Sequence, residues 1–143
     1  MALQFLSPLH KASRQITVFL EARTRALGVS PDEGHLITYL RTYAPAPVGE
    51  LVRVFGIKQS TLTSMLDRLE RAGWLRRQVN PADGRSFLVH VTGRGVELAD
   101  ALNGVLRAME DEIRSRVGDG EMDGFRAVMA AVEEVTRVRL RER

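Results

Sequence analysis

The sequence predicts a mainly α-helical protein that carries one small β-hairpin, and three observations support this fold class. Apolar residues recur at helical spacing from Gln59 to Ala72, and a shorter helical stretch from Val48 to Phe55 precedes them. Gly56 and Gly73 follow these two stretches, where a helix commonly ends in a left-handed residue. Alternating apolar residues then indicate two short strands. The order helix, turn, helix and hairpin is that of a winged helix-turn-helix.

The first predicted helix runs from Phe5 to Leu27. Ser7 and Pro8 suit the start of a helix, as a capping residue followed by a proline in the first turn. Gly28 follows the last apolar position and ends the helix. The apolar residues of this helix recur at helical spacing and form one face. They are Leu9, Ala12, Ile16, Phe19, Leu20 and Leu27.

The second predicted helix begins after Ser30, where three start signals coincide. Ser30 is a capping residue, Pro31 occupies the first helical position, and Glu33 completes a capping box. The helix ends before Pro45 and Pro47, because neither proline can continue a helix. We expect this helix to pack behind the helix-turn-helix.

The helix from Gln59 to Ala72 carries the most functional information. Its apolar stripe consists of Leu62, Met65, Leu66 and Leu69. Its first turns instead expose short polar side chains, which can approach base edges and phosphates closely in a DNA major groove. These candidate DNA-contacting residues are Gln59, Ser60, Thr61, Thr63 and Ser64. A solvated amphipathic helix shows the same pattern, so the assignment depends on the flanking elements.

The hairpin is predicted to run from Trp74 to Val79 and from Ser86 to Thr92. Its second strand alternates as a half-buried strand does. The connecting residues 80–85 are rich in turn formers, and Arg85 is expected at the tip. Arg76 and Arg77 lie on the first strand, where at least one of them is expected to be solvated. A helix-turn-helix followed by a hairpin with a basic tip is a winged helix.

Two more helices are predicted after the hairpin, from Gly93 to Arg116 and from Glu121 to Arg141. Together with the first helix they offer more apolar surface than a small winged helix can cover. A homodimer with interleaved terminal helices is the simplest solution, and a monomeric helical bundle is the alternative. The predicted organisation is one domain, residues 1–143. It has a DNA-binding lobe at 30–92 and a helical dimerisation region at 1–28 and 93–143.

The composition favours a nucleic-acid partner and excludes several other classes. The net charge is +3, and residues 48–92 hold seven basic and four acidic residues, whereas the remainder holds fourteen of each. The positive excess therefore lies in the predicted DNA-binding lobe. There is no cysteine, which excludes disulfides, thiolate metal sites and thiol redox switches. The sequence shows neither a signal peptide nor a membrane-length apolar run, and it predicts a cytoplasmic protein.

Several motifs together resemble the MarR family of bacterial transcriptional regulators. The matching segments are STLTSMLDRLERAGWLRR at 60–77 and NPADGRSFLVHVTGRG at 80–95. They contain a leucine-rich recognition helix, a wing with an acidic residue and an arginine, and a strand that ends before a long helix. The motif residues are Leu69, Glu70, Gly73, Asp83, Arg85, Val91, Thr92 and Gly95. Their order and spacing make the match specific, and it extends more loosely over the flanking helices.

The resemblance implies a homodimeric repressor that binds a pseudo-palindromic operator in double-stranded DNA, with recognition helices about 34 Å apart. We expect Lys58 and Arg68 to contact phosphates. Arg85 would enter or flank the minor groove, and Asp83 would orient Arg85 through an ion pair. The chain departs from the family at two positions. Lys58 stands where a capping serine is common, and Gly84 stands where a second wing arginine is common.

The resemblance also implies a small aromatic ligand that releases the DNA from a site between the dimerisation helices and the DNA-binding lobe. The sequence does not define this pocket. Its candidate residues are His10, Arg14, His35 and Tyr39, each with a surface or core position as the alternative. No cofactor is expected, and three widely spaced histidines do not suggest a metal sensor.

Two other functional classes have less support from the sequence. An enzyme has little support, because the sequence shows no nucleophile elbow, no phosphate-binding glycine loop and no metal-ligand spacing. A winged helix can also dock on a protein partner, in which case the basic excess would be incidental. Selective, salt-dependent DNA binding distinguishes the regulator from this interaction module.

Overall fold

The structure is a computed structural model, and it describes residues 2–138. Within those residues six helices surround a small three-stranded sheet. In chain order the elements are α1 (Leu6–Ala26), α2 (Pro31–Tyr43), β1 (Ala46–Pro47), α3 (Val48–Phe55), α4 (Gln59–Arg71), β2 (Leu75–Asn80), β3 (Asp83–Val91), α5 (Gly93–Arg114) and α6 (Asp119–Thr136). The predicted mainly helical, winged helix-turn-helix fold is confirmed.

The start of α2 shows how local signals position the lobe. The Ser30 hydroxyl accepts a hydrogen bond from the Glu33 backbone N–H at 3.2 Å, and the Glu33 carboxylate accepts one from the Ser30 N–H at 3.0 Å. This is the predicted capping box. Leu36, Ile37 and Leu40 then follow on one face, and all three are completely buried. The second helix therefore forms the back of the core, as expected.

The two helices of the helix-turn-helix begin and end close to their predicted positions. Gly56 follows α3 with φ of 61°, and Gly73 follows α4 with φ of 85°, so both glycines adopt the left-handed conformation that a side chain disfavours. Lys58 caps α4 with its backbone only and forms no side-chain capping bond. The apolar stripe of α4 faces the core, where Leu62, Leu66 and Leu69 are almost completely buried.

The sheet contains one strand that was not predicted. Its order is β1-β3-β2, and β1 pairs with β3 in antiparallel fashion through Ala46 with Val89 and Pro47 with Leu88. The proline-rich segment before α3 was expected only to interrupt the helices. Proline is tolerated here because β1 lies at the edge of the sheet. The strand depends on a partner more than 40 residues away, so no local pattern predicts it.

The wing is tighter than the sequence suggested. Asn80 pairs with Asp83, so only Pro81 and Ala82 lie at the tip. Asn80 closes this turn, because its side-chain oxygen accepts a hydrogen bond from the Ala82 N–H at 3.0 Å. The predicted placement of Arg85 at the tip was wrong, since Arg85 lies within β3.

The first turn of α5 packs tightly on the segment that follows α4. The Thr92 hydroxyl accepts a hydrogen bond from the Gly95 N–H at 3.1 Å and donates one to the Gly73 carbonyl at 2.6 Å. A Cβ atom on Gly95 would lie only 2.1 Å from the Trp74 carbonyl oxygen and 2.6 Å from a Val91 methyl group. This contact sets the direction in which α5 leaves the lobe.

The core lies in the lobe and the first half of α5, and α1 and α6 contribute little to it. The main cluster of buried side chains spans residues 29–102, whereas α6 has no buried residue. α5 ends at Arg114, two residues before its predicted end. α6 ends at Thr136, because Arg137 has a left-handed φ of 56°. The predicted end of this helix, Arg141, lies outside the described residues. No helix within 2–138 has the length and hydropathy needed to cross a lipid bilayer.

Candidate nucleic-acid interface

The polar residues at the start of α4 share one exposed end of the helix-turn-helix. The exposed side chains here are Lys58, Gln59, Ser60, Thr61, Thr63 and Ser64. The Ser64 hydroxyl donates to the Ser60 carbonyl at 3.1 Å and keeps its oxygen available as an acceptor. Hydroxyl and amide groups on a helix of this kind match the donors and acceptors of a DNA major groove. That these side chains contact DNA bases stays a prediction.

Arg77 ties the wing to α4. Its guanidinium forms ion pairs with Asp67 and, at 3.1 Å, with Glu70 of α4. Its backbone N–H also donates to the Glu70 carboxylate at 2.7 Å. The hydrogen bond from this N–H lowers the pKa of Glu70 below its ordinary value, and the guanidinium lowers it further by a smaller amount. Arg77 is therefore a structural brace between the wing and the recognition helix.

The sequence contains a pattern that indicates the ion pairs of Arg77. Asp67 and Glu70 are three residues apart and therefore lie on one face of α4. An arginine follows four residues after Gly73, where β2 passes that face. The expectation that at least one arginine of the first strand is solvated holds for Arg76, which is exposed.

Replacing Arg77 with methionine should lower the free energy of unfolding by roughly 1–2 kcal/mol, because two carboxylates lose their cation while remaining partly solvated. Urea denaturation would measure this change. Arg76→Met is the matched control, since Arg76 is exposed and outside these bonds, and we expect its effect to stay within about 0.5 kcal/mol. Equal effects of the two substitutions would contradict the brace.

Arg68 has intramolecular partners that the sequence did not reveal. Its guanidinium forms an ion pair with Glu33 and donates to the Gly28 carbonyl at 3.0 Å. Burial alone would raise the pKa of Glu33, but the hydrogen bonds from Arg68 and Ser30 lower it overall. Arg68 therefore fastens α4 to the turn between α1 and α2. Its side chain is still 46% exposed, so the outer edge of the guanidinium can meet a phosphate, and that contact remains a prediction.

Asp83 supports the wing differently from the expected ion pair. Its carboxylate accepts a hydrogen bond from the Arg85 backbone N–H at 3.1 Å, and its carbonyl accepts one from the Ser86 hydroxyl at 3.2 Å. Among residues 2–138 no ion pair joins Asp83 to the Arg85 guanidinium. A carboxylate two residues before an N–H bonds to that N–H readily, which explains the difference. Asp83 shapes the backbone of the wing, and the Arg85 side chain is exposed.

The four candidate ligand residues are not brought together. His35 lines a crevice between α1, α2 and α5, together with Leu20 and Leu102. Tyr39 packs against Tyr43 and Phe55, with ring centroids 4.5 and 5.5 Å away. The two remaining candidates, His10 and Arg14, are exposed on α1. In the part of the chain that the structure describes, no three histidine, aspartate or glutamate side chains converge as a metal site.

Comparison with known sequences shows similarity to transcriptional regulators. A family model described as the MarR family matches residues 29–87. The HTH-type transcriptional regulator PecS of Dickeya dadantii (strain 3937) is 37% identical over 101 residues, which cover 69% of this chain and 61% of PecS. The chain spans 61%, 51% and 49% of the first three curated relatives that it matches. These three relatives are named as transcriptional regulators and not as enzymes.

Comparison with solved structures extends the similarity over nearly the whole chain. MepR of S. aureus, solved in a complex with DNA, superposes with a TM-score of 0.85 at 17% identity, covering 94% of this chain and 99% of MepR. NadR, solved in complex with 4-hydroxyphenylacetate, superposes with a TM-score of 0.79 at 19% identity, covering 92% of this chain and 93% of NadR. At these identities the likeness establishes a shared fold, including the terminal helices.

Proposed function

Because the chain belongs to the MarR family, we propose that it is a homodimeric transcriptional repressor that binds a pseudo-palindromic operator in double-stranded DNA. One observation carries this proposal. The exposed polar start of α4 and the exposed Arg85 of the wing belong to the same lobe, and residues 48–92 of that lobe hold the net positive charge of the chain. Attraction to phosphates by such a lobe is the electrostatic basis of DNA binding.

In the proposed complex, α4 enters the major groove and the wing reaches the adjacent minor groove. Gln59, Ser60 and Thr63 would contact base edges, with Thr61 and Ser64 beside them. Lys58 would contact a phosphate, and so would the outer edge of Arg68. Arg85 would lie in or beside the minor groove, where negative potential attracts a guanidinium. Asp83 would hold the wing in shape without touching DNA.

The dimer is supported by apolar surface that a single chain leaves uncovered. Phe19 of α1 is 43% exposed, and Phe125 of α6 is 52% exposed. Other large apolar side chains on these helices are also exposed, namely Leu6, Ile16, Val18, Val132 and Val135. We propose that residues 1–28 and 93–143 cover this surface by pairing with a second copy, while residues 30–92 form the DNA-binding lobe.

Release from DNA by a small aromatic ligand is the regulatory part of the proposal. The crevice lined by Leu20, His35 and Leu102 lies where α1 and α5 meet the lobe. A ligand that widened this crevice would change the angle between the dimerisation helices and α4. NadR, which shares the fold, was solved with 4-hydroxyphenylacetate. Titrating phenolic acids into the protein–DNA complex and following DNA release would test this step.

Fluorescence anisotropy with duplexes from upstream of the gene, compared with a shuffled duplex at two salt concentrations, tests the DNA-binding proposal. We expect selective binding that weakens as salt rises. Arg85→Ala should weaken binding and reduce the slope of log K against log salt by about 1.8, because each of the two wings of the dimer would lose one phosphate contact worth about 0.9. Equal, weak binding to both duplexes by the wild-type protein, and to sites selected from a random pool, would favour the protein-interaction module instead.

A further inference from the structure

The wing carries two large apolar side chains that the core does not cover. Val79 of β2 is 53% exposed and Phe87 of β3 is 47% exposed, and the two residues are direct cross-strand partners. Polar bonds of Asn80 and Asp83 hold the turn beside this pair. We call Val79 and Phe87 the wing apolar pair.

The register of the sheet shows which face of the wing this pair occupies. Cross-strand partners share a face, and faces alternate along a strand. Arg77 pairs with Val89 two residues closer to the core on each strand. The wing apolar pair therefore lies on the same face as these two residues. Val89 is completely buried on that face, and the Arg77 side chain reaches the carboxylates of α4 from it. The wing apolar pair is therefore on the side of the wing that faces α4.

The position of this pair relative to the two proposed DNA contacts identifies its partner. The following step rests on the proposed function. If α4 lies in a major groove and Arg85 lies in the neighbouring minor groove, the sugar–phosphate strand that separates the two grooves must pass between α4 and the wing. Arg85 precedes Phe87 by only two residues on β3, so a basic and an apolar side chain lie close together in the wing.

We propose that the wing apolar pair packs against the deoxyribose rings of the DNA strand that runs between α4 and the wing. Deoxyribose presents carbon–hydrogen groups to the minor groove, and apolar side chains can pack against these groups. The positive charge of Arg85 offsets the phosphates on either side of these sugars. This complementarity favours a DNA strand over an apolar protein segment as the occupant of the surface.

This contact has a signature that separates it from a phosphate contact. Packing on a sugar releases no condensed counterion, so it adds affinity without adding salt dependence. It also touches no base edge, so it positions the wing in the same way on every sequence. Loss of the apolar contact should therefore weaken binding to all operators by a similar factor and leave the salt slope unchanged.

Phe87→Ala tests the contact in the full-length protein, with the operator established by selection from a random pool. We expect about 10-fold weaker binding, as expected from losing part of the apolar contact surface of a phenyl ring. The salt slope should equal that of the wild type, whereas Arg85→Ala should reduce it. Gln78→Ala is the matched control, because Gln78 is exposed on the opposite face of the wing and should bind as the wild type does.

Hydroxyl-radical footprinting gives a second readout, since these radicals attack deoxyribose. The wild-type complex should protect a few sugars beside the wing, and Phe87→Ala should expose them while leaving the protection by α4 intact. If the wild type binds its operator and Phe87→Ala shows the same affinity and the same footprint, the inference is overturned. A change in sedimentation of Phe87→Ala would also overturn it, in favour of a contact between copies. Failure of the wild type to bind any operator would instead overturn the proposed function.

Discussion

Gly95→Ala is expected to lower the free energy of unfolding by about 3 kcal/mol, at the upper end of the usual cost of inserting an atom into a packed site. The added Cβ would lie 2.1 Å from the Trp74 carbonyl oxygen, which belongs to the backbone and cannot move aside as a flexible side chain would. The Thr92 N–H bonds to that same carbonyl at 3.1 Å, so a shift would also disturb the start of α5. The direction of α5 would then change relative to the lobe.

Urea denaturation followed by tryptophan fluorescence suits this test, because Trp74 is the single tryptophan and lies at the altered contact. Gly93→Ala is the matched control, since a Cβ atom at Gly93 would have no atom within 4 Å apart from its chain neighbours and the backbone of its own helix. Its stability should stay within about 0.5 kcal/mol of the wild type. If the two alanine variants unfolded at the same urea concentration, the tight contact at Gly95 would be disproved.

Phe125→Asp is expected to separate the proposed dimer and to reduce operator affinity by about 100-fold or more. Phe125 is 52% exposed in the protomer, so the carboxylate is solvated in a single chain but would be buried between two chains. A monomer engages one half-site at a time, and the benefit of linking two half-sites is typically a factor of 10² or greater. Sedimentation and anisotropy would measure the two losses on the same sample.

Ala127→Asp is the control for that substitution. Ala127 is also exposed on α6, and a two-residue step rotates it by about 200°, to the other side of the helix. The Ala127→Asp variant should sediment as the wild type does and bind the operator with wild-type affinity. Full operator affinity in Phe125→Asp at concentrations where it sediments as a monomer would show that pairing of the terminal helices is not required.

Features of the fold with local causes were predicted well from the sequence. The starts of α2, α3, α4 and α5 follow from caps, prolines and glycines that act within four residues of the helix end. β1 was missed because it exists only through pairing with β3. The end of α6 was placed too late because apolar residues continue past Thr136, while the backbone turns left-handed at Arg137.

In the candidate interface, too, features with local causes were predicted and features that depend on distant residues were not. The polar residues at the start of α4 are exposed as expected, since helical periodicity alone separates them from the apolar stripe. The side-chain partner of Arg68 was not predictable from local sequence, because Glu33 lies 35 positions away. The ion pair expected between Asp83 and Arg85 was wrong, because a nearby backbone N–H competes for the carboxylate.

The absence of any buried residue in α6 has a consequence for the life of the protein in a cell. The lobe has its own core, whereas no residue of α6 is buried in the single chain, so another molecule that covered α6 would bury further apolar surface. For the proposed dimer, copy number then becomes a determinant of folding. A newly synthesised chain without a partner would present α6 to proteases, so pairing with a second copy would both slow its turnover and allow it to occupy an operator.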